Sequence, residues 1–249
     1  MVDEGPSAFF RSFSLHDPMY FLLGSEPIRN AKFQLSFRYD LFDPGSRTQP
    51  AGVFPSRGFF LAYTQLSFWD LESASAPFFD TSYKPSAFFL YEDIGGSGQS
   101  WVDRLHVETG FLHESNGNEG ADSRAINMVY LKPTFVWRLF GQSRLLVAPK
   151  VWAYFWIEEN PDIGDFRGNF SLELAWRFDF GMQIHTVTHV GNDLDKGSFE
   201  ANLTFPMDRL WRPLNFYVLA QFFDGYAETI LRYDVNTDAN WRIGVALSR

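Results

Sequence analysis

The chain has 249 residues, room for one large domain or two small ones, and its formal net charge of −9 comes with no Lys/Arg stripe, which argues against a nucleic-acid partner. It has no Cys, so neither a disulfide framework nor a thiolate zinc site can form. Aromatic residues reach 18%, with 28 Phe, 8 Trp and 10 Tyr, more than an ordinary soluble domain carries. No run approaches the roughly 18 apolar residues of a transmembrane helix; the best one, Leu145 to Ile157, is cut by Pro149 and Lys150.

In chain order, residues 1–30, with Pro6, Pro18 and Pro27, read as an irregular lead-in. Its opening "MVDEGPSAFFRS" has no basic stretch before an apolar core and is not a signal peptide. Export would require a signal already removed. Period-two alternation then predicts strands at 32–42, 57–70, 83–91, 101–115, 124–138, 144–157, 168–180, 183–190, 198–205, 213–223, 227–235 and 239–247. The separators carry turn chemistry, as in "DPGSRTQPAG", "DIGGSGQS", "NGNEGADS", "ENPDIGDFRG" and "GNDLDKG". No amphipathic helix, internal repeat or linker interrupts the series, so 31–249 reads as one domain.

The faces of these strands differ in character. In 124–138, Ala125, Val129, Leu131, Phe135 and Trp137 share one face, while Arg124, Lys132 and Arg138 share the other. In 101–115, Leu105, Val107, Thr109 and Phe111 lie opposite Arg104, His106, Glu108 and Glu114. A soluble sandwich would pack the apolar faces inward against a second sheet. A transmembrane antiparallel β-barrel would turn them to lipid and keep the charges inside. The segments exceed the usual 5–6 residues of a strand and match the roughly 9–11 needed to cross a bilayer, which favours the barrel, with about twelve strands. Trp101, Trp137, Phe140, Trp152, Trp156, Trp176, Trp211 and Tyr217, near strand ends, would form its interfacial girdles.

The stretch "LHESNGNEGADSRAIN", Leu112 to Asn127, carries the candidate chemistry. By the pleat, His113 and Ser115 continue the apolar face of Phe111, and Asn127 continues the face of Val129 and Leu131. The His and Ser Cα atoms are about 6.5 Å apart along the strand, and the next strand lies about 4.8 Å away. Ser115 could reach one imidazole nitrogen of His113 and Asn127 the other, the arrangement of nucleophile, base and orienter in acyl transfer. On the residues alone, the plainer reading is that the three end one strand and start the next at a polar membrane interface.

The segments "HESNG" and "DSRAIN" resemble the active-site region of the bacterial outer membrane phospholipase A family. "DPMYFLLGS", "AKFQLSF", "YTQLSFWD", "SYKP", "ENPDI" and "DGYAETILRYD" agree in order, from about residue 17 to the C-terminus. The resemblance implies a twelve-stranded outer membrane barrel with its catalytic site on the outer wall, hydrolysing sn-1 and sn-2 acyl esters of glycerophospholipids and lysophospholipids. It implies dependence on calcium and activity as a homodimer. It makes His113 the general base, Ser115 the nucleophile, Asn127 the orienter and the Gly117 amide an oxyanion donor. Calcium would be held by Ser123, by the carbonyl of Asn118 and by the carbonyl of Ser75 from the second protomer, and Gln65 would lie at the dimer interface. The family's usual Arg is Asn118 here and a family Asp is Gly120, so a second calcium site would need Glu119, Asp122 or Glu159.

Other clusters read as structural. His185 and His189 share a strand face as lumen residues, "NPDIGDF" is an acidic turn without EF-hand spacing, and "GGSGQS" lacks the ending of a phosphate loop. Arg104, Glu108 and Lys132 would form lumen ion pairs. Rival functions are a passive barrel and a different barrel hydrolase such as a lipid A deacylase.

Overall fold

A strand needs a hydrogen-bonding partner on each edge, and in the computed structural model every long strand finds two. The structure describes residues 11–24, 30–41, 57–92, 94 and 102–249. In chain order the strands are β1 (Phe13–Ser14), β2 (Tyr20–Gly24), β3 (Asn30–Asp40), β4 (Arg57–Asp70), β5 (Phe78–Tyr91), β6 (Arg104–Ser115) and β7 (Ala125–Arg138). They continue with β8 (Arg144–Phe155), β9 (Phe170–Arg177), β10 (Gln183–Val190), β11 (Gly197–Pro206), β12 (Tyr217–Gly225) and β13 (Thr237–Ala246). Neighbours from β2 to β13 pair antiparallel in sequence order, and β13 closes on β2 through Ala246↔Tyr20 and Ile243↔Leu23. The result is a closed twelve-stranded barrel, in which the two-residue β1 pairs with β3 beyond the end of β2, on the edge that β4 leaves free.

The count of twelve survives two corrections that cancel. Tyr20–Gly24, inside the expected lead-in, is the closing strand, so the barrel begins at residue 20 and not 31. The expected strand 227–235 is instead a loop. Ala227 takes a left-handed φ of 56°, which ends strand geometry, and the loop turns inward to bury Ile230 and Tyr233. Trp101, the "DPGSRTQPAG" separator and residues 95–100 of "GGSGQS" lie outside the described residues.

The faces sort as a membrane barrel requires. Along β7, Ile126 and Met128 are 0% and 2% exposed, whereas Val129 and Leu131 are 51% and 44% exposed. Phe21, Leu35, Leu61, Phe89 and Ile243 continue the outward apolar surface on other strands. Two of the expected girdle residues face the lumen instead. Trp152 stands opposite Tyr130 in the β7–β8 register and is buried with it, and Tyr217 packs on Leu219 and Leu22. Phe140, Trp156 and Trp211 are exposed. Leu131→Arg is expected to cost about 2–4 kcal/mol, the depth-dependent penalty of a cation on the lipid face, in denaturant unfolding from lipid vesicles; a change under about 0.5 kcal/mol would count against a lipid-facing wall.

Charges converge inside. Lys32 of β3 reaches across the lumen to Glu200 of β11 at 3.0 Å and to Glu228 at 3.4 Å, and Arg242 holds Glu228 at 2.5 Å. Lys132 pairs with Glu173 at 2.9 Å, while Glu108 accepts from the Tyr130 hydroxyl at 2.7 Å. The interior is not uniformly polar: Phe60, Phe88, Ile126, Met128, Tyr130 and Trp152 form an apolar cluster under Ile230 and Tyr233. Between these layers a cavity of about 560 Å³ remains, lined by both His185 and His189. The N-terminal segment enters the lumen, with Asp17 accepting from Thr64 at 2.7 Å and its amide donating to Ser36 at 2.9 Å. The 226–236 loop covers one end of the barrel, with Ile230 and Tyr233 packed on the apolar cluster.

Candidate active site

β6 and β7 form a hairpin, so a local turn sets their register. That register places His113 directly opposite Asn127 and Ser115 opposite Ala125. His113 Nδ1 and Asn127 Oδ1 lie 2.9 Å apart. The Asn127 amide nitrogen donates to the carbonyl of Trp156 at 3.2 Å. A reversed amide would set oxygen against that carbonyl, so Oδ1 faces the ring, Nδ1 carries the proton, and Nε2 is left with a free lone pair. Ser115 projects from the same outer face two residues on, opposite Tyr83 of β5. All three polar side chains therefore sit on the wall whose neighbours Phe111, Val129 and Leu131 face lipid.

On the lumen side of the same stretch, Glu114 is buried between Arg167 at 2.7 Å and Lys84 at 3.3 Å. This ties the strand carrying His113 and Ser115 to β5 and to the one-turn helix Ile163–Arg167. That helix replaces the simple turn expected of "NPDIGDF". The loop after Ser115 is organised by buried Asn116. Its side chain accepts from the amides of Arg124 at 3.0 Å and Asn118 at 3.2 Å and donates to the Asp122 carbonyl at 2.7 Å. Gly117 takes a φ of 72°, which strains any residue with a side chain, and an added Cβ would press on the Tyr83 ring at 3.2 Å.

The expected calcium ligands divide between two places. Asn118 and Ser123 lie in the β6–β7 loop, exposed and half-buried respectively, and the Ser123 hydroxyl donates to Glu159 at 3.1 Å. Exposed Ser75 stands apart, on the β4–β5 turn that Asp70 caps through the Glu72 and Ser73 amides. Among the described residues no three His, Cys, Asp or Glu side chains group as a metal site. The oxygen donors present, hydroxyl, carbonyl and the Glu159 carboxylate, are nonetheless the kind a hard cation takes. Of the alternative acids, Glu159 touches this loop, whereas Asp122 contributes its carbonyl to Asn116. Gln65 lies on the outer wall in a polar chain, with Tyr63 at 3.1 Å and Ser67 at 3.2 Å. Sequence reasoning missed Asn116, Trp156 and Asn160. Only Asn116, in "SNG", carried a signal, as an Asx-type turn residue.

A phospholipase A1 family model matches residues 24–248. The chain belongs to that family. Among its relatives, the phospholipase A1 of Klebsiella pneumoniae is 29% identical over 223 residues, covering 87% of this chain and 68% of the relative. That of Escherichia coli K12 is 28% identical over 222 residues, with the same coverage. A Neisseria meningitidis relative is 26% identical over 222 residues, 85% of this chain but 53% of its own length, so the chain spans about half of that protein. In fold, the outer membrane phospholipase A of Escherichia coli superposes with a TM-score of 0.77 at 22% identity, over 98% of this chain and 93% of that one. The Salmonella typhi outer membrane phospholipase, solved as a dimer with bound calcium, matches with the same TM-score and identity over 99% and 94%.

Proposed function

We propose that this family member is an outer membrane phospholipase A that hydrolyses sn-1 and sn-2 acyl esters of glycerophospholipids and lysophospholipids, with calcium and as a homodimer. The observation that carries the reading is the 2.9 Å contact of His113 Nδ1 with Asn127 Oδ1, with Ser115 two residues along the same lipid-facing wall. A hydrolase of membrane lipid needs its nucleophile where an acyl ester lies, and the outer wall provides that place without lifting the substrate into water. A passive channel would need no His–Asn pair and serine on its lipid-facing wall.

Asn127 accepts the Nδ1 proton of His113 and holds the ring. His113 Nε2 takes the Ser115 proton as Oγ attacks the ester carbonyl, and the imidazolium then gives that proton to the departing lysolipid alkoxide. The Gly117 amide, held by its left-handed backbone, donates to the oxyanion. Water, deprotonated by the same histidine, releases the fatty acid. Ser123, the Asn118 carbonyl and the second protomer's Ser75 carbonyl would hold calcium, which when bound supplies positive charge toward the oxyanion. The exposed position of Ser75 on a separate turn suits a ligand given to a partner. The polar chain Tyr63–Gln65–Ser67, costly to leave facing lipid, suits burial in a dimer seam.

Hydrolysis of a phospholipid in detergent micelles, with calcium and with chelator, tests the reading. Chelation is expected to lower turnover by about 10²–10³, the usual cost of losing one oxyanion donor. Turnover indifferent to chelator would remove calcium from the scheme while leaving Ser115 in it. No turnover of the folded dimer under either condition would overturn the enzyme reading.

A further inference from the structure

Trp156 follows directly on β8, and its φ of 50° is left-handed, a conformation that a bulky aromatic residue rarely takes. Core packing does not account for it: the indole is 75% exposed, in edge contact with Phe155 at 5.2 Å. What the turn achieves is the direction of the carbonyl, which swings back across the sheet to accept from Asn127 Nδ2 at 3.2 Å. The segment beyond is stapled to the site hairpin. Buried Asn160 donates from its side chain to the Ala125 carbonyl at 2.5 Å and from its amide to the Ile157 carbonyl at 2.8 Å, and Glu159 receives the Ser123 hydroxyl. Such a set of ties is what sustains an unfavourable dihedral, and strain of this kind concentrates at functional sites.

We propose that Trp156 is a positioning residue whose strained backbone carbonyl clamps the Asn127 amide and so selects the imidazole tautomer of His113. This rests on the hydrolase reading for its consequence and not for its geometry. An unclamped amide can turn by half a rotation and offer its NH2 to Nδ1. The ring then becomes an acceptor at Nδ1, its proton moves to Nε2, and it can no longer take the proton of Ser115. Asn127 alone cannot prevent this, because its two ends have nearly the same shape and only their hydrogen-bond partners tell them apart.

The test compares Trp156→Val, Trp156→Ala and Trp156→Gly in the full chain in detergent micelles with calcium. Val resists the left-handed conformation most, Ala less, and Gly adopts it freely. Turnover is read as kcat and KM, and the His113 tautomer as the 15N shifts of its ring, assigned by difference from His113→Asn. Trp156→Val is expected to lower kcat about tenfold, a partial loss of a positioned general base, with KM within about twofold. Its 15N spectrum should change from the Nδ1–H tautomer to a mixture. Trp156→Gly should recover both. If Val does not fold, Ala should fall below Gly in the same two readouts. An unchanged tautomer in Val and Ala would overturn the proposal. So would a Gly variant as impaired as Val, which would place the effect in the indole. A tautomer that responds in a chain with no wild-type turnover would keep the clamp and sink the hydrolase reading.

Discussion

Ser115→Ala is expected to lower phospholipid turnover by about 10³-fold or more, the scale on which serine hydrolases lose rate with their nucleophile. The barrel should remain folded. Ser115 is half-buried on the outer wall between Tyr83 and Ala125, and deleting one oxygen at such a place typically moves stability by less than about 0.5 kcal/mol. His113→Ala should be nearly as damaging, and the double variant no worse than either single one. Nucleophile and base act as one unit, and their losses do not add. Near-wild-type rate in Ser115→Ala, with folding confirmed by heat-dependent gel mobility, would mean that the His113–Asn127 pair serves some other group. Additive losses would mean that Ser115 and His113 work independently, against the proton transfer derived above.

The second large effect lies in the lumen. Glu228 is a carboxylate shared by Arg242 and Lys32, whose side chains are almost wholly buried. Arg242 holds it through two nitrogens and is itself fixed by Asn30 at 3.2 Å. Glu228→Leu leaves buried Lys32 with Glu200 and Gln221, and buried Arg242 with the neutral Asn30. Breaking a buried ion cluster from one side usually costs about 3–5 kcal/mol, and the loss should appear in denaturant unfolding of the barrel in lipid vesicles. Glu228→Gln, which keeps the acceptor oxygen, should cost clearly less. Glu228 also anchors the loop bearing Ile230 and Tyr233, so Glu228→Leu should expose the lumen to a water-soluble quencher of Trp152 fluorescence. A loss below about 0.5 kcal/mol with no change in quenching would show that the cluster is wetted and contributes little.

The pair His113–Asn127 was legible because it is local. Two consecutive strands joined by a short loop have a register set within the hairpin, and the pleat puts every second residue on one face. The same alternation showed that Glu114 and Ile126 stand on the opposite face from the site. It did not reveal Trp152 as a lumen residue, because an aromatic at a strand end suits either the girdle or the core, and only pairing with Tyr130 decides which.

By itself, the amino-acid sequence determined the alternation, the length of the strands, the absence of cysteine chemistry and the spacing of the His, Ser and Asn, since each depends on covalent order and backbone periodicity. The tertiary structure decided what depends on residues far apart in the chain. Ring closure joins β2 to β13 across more than two hundred residues, and five short residues carry too little pattern to announce it. The 227–235 stretch reads as a strand until Glu228, Ile230 and Tyr233 find partners inside the lumen. The carbonyl of Trp156 meets Asn127 only because β8 ends beside β7 in a left-handed turn. Periodicity records which face a side chain takes; three-dimensional closure determines what waits on that face.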